Sequence, residues 1–182
     1  MYRENSVRKA RGALWRLWML GRKRGWLGVP FWLMMYRSYI LPVLEYSAEV
    51  FGELLWPQAE RVQLEAGRMI LGVTKRTPNA VIRGELGLLT LKGRRDITRL
   101  MYWWKILNSK SGDLVRDVYD WSKATDGNNW CRYTMRLLTE LGLEKEWRTE
   151  ELGTKKEWAA RVRERVCGRE RQERGGRRWN RK

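Results

Sequence analysis

Histidine is absent from these 182 residues, and cysteine occurs only twice, at Cys131 and Cys167. Most zinc sites need four nitrogen or sulfur ligands, so they are excluded. Histidine-based acid–base catalysis is excluded with them, and neither thiol has an imidazole to activate it. Two cysteines do not make a secreted disulfide framework, so an intracellular setting, nucleus or cytoplasm, is expected. There is no G-x-x-x-x-G-K-[ST] loop and no dinucleotide glycine fingerprint. The aspartates are few: Asp96, Asp113, Asp117, Asp120 and Asp126. Asp113, Asp117 and Asp120 are helically spaced and read as a solvated face rather than a cation site. Nothing builds the paired-ion carboxylate cluster that nucleotidyl transfer requires. No catalytic residue, no metal and no cofactor are expected.

What is present is basic, aromatic and helical in pattern. The net charge is +17 and there are twelve tryptophans. Residues 1–25 carry eight basic groups and one acidic group, residues 26–153 carry 18 and 16, and residues 154–182 carry 12 and four. The excess therefore sits on the two ends. A phosphate-bearing partner fits it, because each neutralised phosphate releases counterions.

Hydrophobic spacing predicts helices throughout and no significant sheet. In residues 1–25, Val7, Ala10, Leu14, Leu17, Trp18 and Gly21 share one face, with Trp15 and Met19 widening the apolar arc. Pro42 lies inside a helical pattern and is expected to kink or split it near Tyr39–Leu41. Val62, Ala66, Met69, Ile70 and Val73 form the next stripe, and Gly72 is its expected stop. Thr77-Pro78 restarts a short helix. The clearest helix spans Arg94 to Lys110. Its expected core face is Ile97, Leu100, Met101, Trp104 and Leu107, with Arg95, Arg99 and Lys105 around it. Trp103 and Trp104 are candidates for base stacking, with Trp104 better explained as core. A short helix over 114–121, a linker at Thr125–Asn129, a helix from Trp130 to Leu143 and a last one from Thr154 to about Val166 follow.

The expected fold is all-α, an irregular bundle of about six to eight helices. The expected domains are 1–124, helical with a basic N-terminal helix; 125–168, a helical extension; and 169–182, a disordered Arg/Gly-rich tail. The run Trp26–Leu44 carries one charge, Arg37, and raises the alternative of a membrane-anchored basic protein. Arg37, Pro30 and Pro42 favour a buried helix instead, and the run begins too far along to be a cleaved leader. A membrane is not the expected partner. A helical protein-interaction module is the other alternative.

Ile40-Leu41-Pro42-Val43-Leu44-Glu45-Tyr46, then Glu49, Leu64-Glu65, Ile70-Leu71-Gly72, Thr77-Pro78, Glu85-Leu86-Gly87 and Arg94-Arg95-Asp96 resemble, in order and spacing, the region after the catalytic palm of non-LTR (LINE-like) retrotransposon reverse transcriptases. The likeness continues through Trp103-Trp104-Lys105-Ile106-Leu107-Asn108 and returns at Glu140-Leu141-Gly142-Leu143. The pattern positions are Pro42, Tyr46, Glu49, Gly72, Pro78, Glu85, Gly87 and Trp104. Ser47 and Phe51 depart from it, where the family often has Gly and Trp. The Tyr-x-Asp-Asp motif is absent, as though the chain began downstream of it. The resemblance implies a thumb-like fragment without polymerase chemistry, gripping RNA or DNA through backbone phosphates and leaning on a palm domain or other chain. Charge alone nominates the contacts: Arg8, Lys9, Arg11, Arg16, Arg22, Lys23 and Arg24 at the front, and Arg161, Arg163, Arg165, Arg169, Arg171, Arg177 and Arg178 at the back.

Overall fold

A computed structural model describes residues 2–23, 28–51, 55–110, 112–125, 127 and 129–179. Every regular element among them is helical: α1 (Tyr2–Lys23), α2 (Val29–Met35), a π turn (Tyr36–Ile40), α3 (Leu41–Glu45), α4 (Ala48–Phe51), α5 (Pro57–Leu71), α6 (Asn79–Glu85), α7 (Leu91–Leu107), α8 (Leu114–Ala124), α9 (Trp130–Glu140), α10 (Glu144–Thr149) and α11 (Lys155–Trp179). The all-α expectation holds. The segments outnumber the expected six to eight because Pro42, the turn at Tyr46-Ser47 and several glycines cut the longer patterns.

Two compact units divide the chain: Met1–Tyr46 with Leu55–Leu91, and Ser47–Leu54 with Lys92–Lys182. The expected break at 124/125 falls inside the second unit. α8 and α9, on either side of that linker, pack on each other and share one core, which explains the difference.

In the first unit, α1 packs on α3 and α5, and α5 packs on α6. Val7, Ala10 and Leu14 join Ile40, Leu44, Val62, Ala66 and Ile82 in the core. Pro42 has no N–H to donate, and the helix ahead of it widens: the Leu41 N–H reaches back five residues to the Tyr36 carbonyl. Gly72 closes α5 at φ +66, with Val73 N–H on the Arg68 carbonyl at 3.1 Å and Gly72 N–H on Met69 at 3.3 Å. Gly87, φ +59, closes α6 the same way through Leu88 and Arg83 at 2.8 Å. Both satisfy carbonyls a helix end leaves open, in a conformation only glycine adopts without strain. Trp15, Met19 and Val73 were expected on apolar faces but are exposed, at 59%, 53% and 37%. Each lies at the margin of its stripe, where the neighbouring helices no longer reach.

In the second unit, α7 is buried on more than one side. Leu100, Trp103 and Ile106 form its deepest line, with Arg95 and Arg99 also buried. This corrects the expected face: Trp103 is fully enclosed, and Trp104 is only partly buried. The Trp103 ring meets Trp147 at 5.4 Å and Trp158 edge-on at 5.8 Å. Arg99 and Trp130 clamp α4 by donating to the Val50 and Glu49 carbonyls at 2.9 and 2.8 Å.

α11 starts with a reciprocal cap: the Glu157 N–H donates to the Thr154 hydroxyl at 3.3 Å, and the Thr154 N–H to the Glu157 carboxylate at 3.0 Å. It then runs to Trp179 instead of fraying at 169. Arg, Glu and Gln are good helix formers, and they carry the backbone past its glycines. Side chains beyond 173 and residues 180–182 lie outside the described part. Trp26 and Leu27, at the head of the apolar run, do too. Among the described residues, no helix is long and apolar enough to cross a membrane.

Candidate nucleic-acid interface

The fourteen nominated cations separate into three groups. The side chains of Arg22, Lys23, Arg177 and Arg178, and the whole of Arg24, lie outside the described residues. Three others are paired with carboxylates of neighbouring helices. Arg11 forks onto Glu65 through Nε at 3.0 Å and Nη2 at 2.8 Å, a hydrogen bond that raises its pKa above the ordinary guanidinium value. Arg161 donates to Glu146 at 2.9 Å and lies over the Trp158 ring. Arg169 donates to Asp96 and, at 3.4 Å, to Glu140. Asp96 also holds Lys92 at 3.2 Å. These arginines fasten helices to one another.

Arg8, Lys9, Arg16, Arg163, Arg165 and Arg171 remain, all exposed. Among the described residues Arg8 bonds only to the Asn5 side-chain oxygen, at 3.0 Å. For Lys9, Arg16, Arg163, Arg165 and Arg171 no carboxylate partner occurs among the described residues. On α1 the helical angle sets Arg8, Lys9 and Arg16 opposite the buried Val7–Ala10–Leu14 line. On α11, Arg163 and Arg171 share one side with Lys156, and Arg165 lies on another. Lys156 was not nominated, and neither were the exposed Lys75 and Arg76 after α5. Charge density favours the chain ends and passes over Lys75 and Arg76, while the helical angle groups Lys156 with Arg163 and Arg171.

An open cleft of about 750 Å³ adjoins the α1 row in the first unit, lined by Glu4, Val7, Arg8, Arg11 and Leu55 to Gln58. It mixes cationic, apolar and indole surface. No family model, curated protein or solved structure matches the chain.

The resemblance positions serve structure more than chemistry. Gly72 and Gly87 are helix stops. Pro78 precedes α6 as its cap residue. Pro42 and Glu85 are exposed, and so is Tyr46 at 71%. The Glu49 carbonyl accepts from Trp130, and the Trp104 indole donates to the Gly153 carbonyl at 3.1 Å. Among the described residues no group of three His, Cys, Asp or Glu side chains is placed to hold a metal. Cys131 is buried, which pushes its thiol pKa up and away from nucleophilic use.

Proposed function

We propose that the chain is a helical module that binds RNA or DNA through backbone phosphates. We further propose that it corresponds to the post-palm region of a non-LTR retrotransposon reverse transcriptase, with no catalysis of its own. The observation that carries the binding reading is the sorting of the arginines. Arg11, Arg161 and Arg169 are paired with carboxylates of neighbouring helices, Arg11 in an exposed pair, while Arg8, Lys9 and Arg16 on α1 and Arg163 and Arg171 on α11 face solvent without a carboxylate partner among the described residues. Phosphate contacts position a nucleic acid without reading its bases, so sequence preference is not part of the proposal.

Titration of a labelled oligonucleotide against salt tests it. Five neutralised phosphates on a single strand give a slope of about −3.5 in log K against log salt, or about a hundredfold between 50 and 200 mM. Absence of binding at 50 mM salt rejects the function. The family proposal has its own test: palm codons, with their Tyr-x-Asp-Asp, in frame immediately upstream in the genome. A protein-interaction module is the second reading. It draws on α8, where Leu114, Val118 and Trp121 are 73%, 53% and 70% exposed on one face. Under that reading, charge reversal of the α1 and α11 rows leaves function intact.

A further inference from the structure

We infer that Trp15 is a base-stacking residue, and that the α1 surface therefore prefers single-stranded nucleic acid to duplex. This rests on the phosphate-binding reading and adds the substrate's form to it.

Most described indoles are engaged elsewhere. Trp103 and Trp158 are fully buried. Trp18 and Trp32 pack together at 5.5 Å, and Trp104 and Trp130 donate to backbone carbonyls. Trp15 and Trp121 are more than half exposed, at 59% and 70%. Trp121 stands on α8 among Asp117, Val118 and Asp120, and the nearby Arg116 is already paired with Asp120 at 3.1 Å, so its neighbours carry no excess of free cations. Trp15 stands among cations: Arg8 two turns back, Arg16 next along the chain, and Lys9 two turns before Arg16. On α1 the nearest carboxylate in sequence is Glu4, eleven residues away, or about 16 Å along the axis. The Glu65 carboxylate of α5 reaches α1 one turn before Trp15, where Arg11 holds it at 3.0 and 2.8 Å and offsets its charge.

The floor beside Trp15 is also clear. Gly12 lies one turn before it and one turn after Arg8, and a Cβ built there meets nothing within 4 Å. A glycine in mid-helix costs about 1 kcal/mol relative to alanine, and here it leaves a notch between a guanidinium and an indole face. A flat base fits over Gly12 against Trp15, with its flanking phosphates toward Arg8 and Arg16. Bases in a duplex are already stacked and present no free face, so only a single strand gains this contact. A membrane surface suits the site less well. The broad apolar face of α1, through Val7, Ala10 and Leu14, is already buried, and the exposed Trp15, Met19 and Leu20 do not form one continuous face, because Arg16 and Lys9 interrupt them.

The test uses the full chain and three labelled 20-mers: oligo-dT, an abasic strand of the same length, and a duplex. Oligo-dT is expected to bind about tenfold more tightly than the abasic strand. W15A is expected to abolish that ratio and W15F to keep most of it. G12L fills the notch while favouring the helix, so it is expected to lower the ratio with no loss of melting temperature. Equal affinity of the wild type for oligo-dT and abasic strand overturns the inference, as does a W15A ratio unchanged from wild type. The double variant R8Q/R16Q separates this from the underlying reading: it is expected to weaken both strands alike, and no effect on the abasic strand rejects the phosphate role of α1. Co-sedimentation with phosphatidylserine vesicles that W15A abolishes, without a base-dependent ratio, assigns the face to a membrane surface and overturns the inference.

Discussion

The Tyr119 hydroxyl donates to the Glu150 carboxylate at 2.9 Å. The same hydroxyl oxygen accepts the Trp103 indole N–H at 3.1 Å, so one buried oxygen links α7, α8 and the end of α10. Glu150 sits at φ +54, a left-handed conformation uncommon outside glycine, and side chains from α8 converge on it: Tyr119, Lys123 and, at 3.4 Å, Arg116. Burial drives the Tyr119 pKa well above the phenol value, which keeps the donor proton in place. Tyr119→Phe leaves the Trp103 N–H without its acceptor and is expected to cost about 1–3 kcal/mol. A urea melt measures this, and oligonucleotide affinity at a temperature where both proteins are folded should not change.

Glu150 also makes the second unit sensitive to acid. Burial works to raise its pKa, but hydrogen bonds from Lys123 and Tyr119, with the charges of Lys123 and Arg116, outweigh burial and lower it below the ordinary 4.5. A depressed folded pKa contributes stability above the unfolded value, and that stability is lost as pH falls through the folded one. Glu150→Gln is therefore expected to be less stable than wild type at pH 7, with the gap narrowing below about pH 4.5. Urea midpoints at pH 7 and pH 3 check the sign; a gap that widens in acid contradicts it.

Trp103 and Trp104 are adjacent but differ in what they support. Trp103 is fully enclosed by Trp147, Trp158 and Tyr119, so Trp103→Ala is expected to cost about 3–5 kcal/mol. Trp104 is partly exposed and bonded to the Gly153 carbonyl at the surface, so Trp104→Ala should cost about half as much. Denaturant midpoints of the two variants rank them, and the reverse order rejects the placement of α7.

The local devices were legible in the sequence. Gly72 and Pro42 act within one helical turn, and each did what its chemistry predicts. The buried lines Val7–Ala10–Leu14 and Val62–Ala66–Ile70 followed from spacing, although α5, packed on both α1 and α6, also buries Gln63, Leu64 and Gly67 off its expected stripe. α7 defeated the same reasoning. A helix surrounded on several sides has no single stripe, and its best-buried indole was the one off the predicted line. The pairings of Arg161 with Glu146 and Arg169 with Asp96 join helices far apart in sequence, so charge counting could not tell these arginines from their solvent-facing neighbours Arg163 and Arg171. The same limit hid Trp15, which looked like core because it adjoins Leu14.

Gly67 marks a close approach in the first unit. A Cβ there would lie 2.5 Å from Ile82 Cγ2 and 3.3 Å from Leu86 Cδ1, and Ile82 is fully buried. Alanine gains about 1 kcal/mol of helix propensity at an open site. Here the overlap is expected to exceed that gain, for a net loss of about 1–2 kcal/mol. Thermal melts of Gly67→Ala and, as a control, Gly84→Ala decide it: Gly84 has nothing within 4 Å, so its alanine should be neutral or stabilising.

The arginines of α11 offer a paired test of structure against binding. Arg169 is 16% exposed against Asp96 at 8%, and removing its charge leaves a buried carboxylate short of a partner. Lys92 remains near Asp96 at 3.2 Å, so Arg169→Gln is expected to cost about 2–3 kcal/mol, at or below the low end for a broken buried pair. Its effect on the salt slope of oligonucleotide binding should be small. The solvent-facing Arg163 and Arg171 should behave in the opposite way. R163Q/R171Q is expected to change stability by no more than about 0.5 kcal/mol per site, and to make the salt slope shallower by about 0.7 per lost single-strand phosphate contact. Measuring both quantities for both variants gives a crossed design. If R169Q changes the slope and R163Q/R171Q does not, phosphate binding does not reside on the outer face of α11.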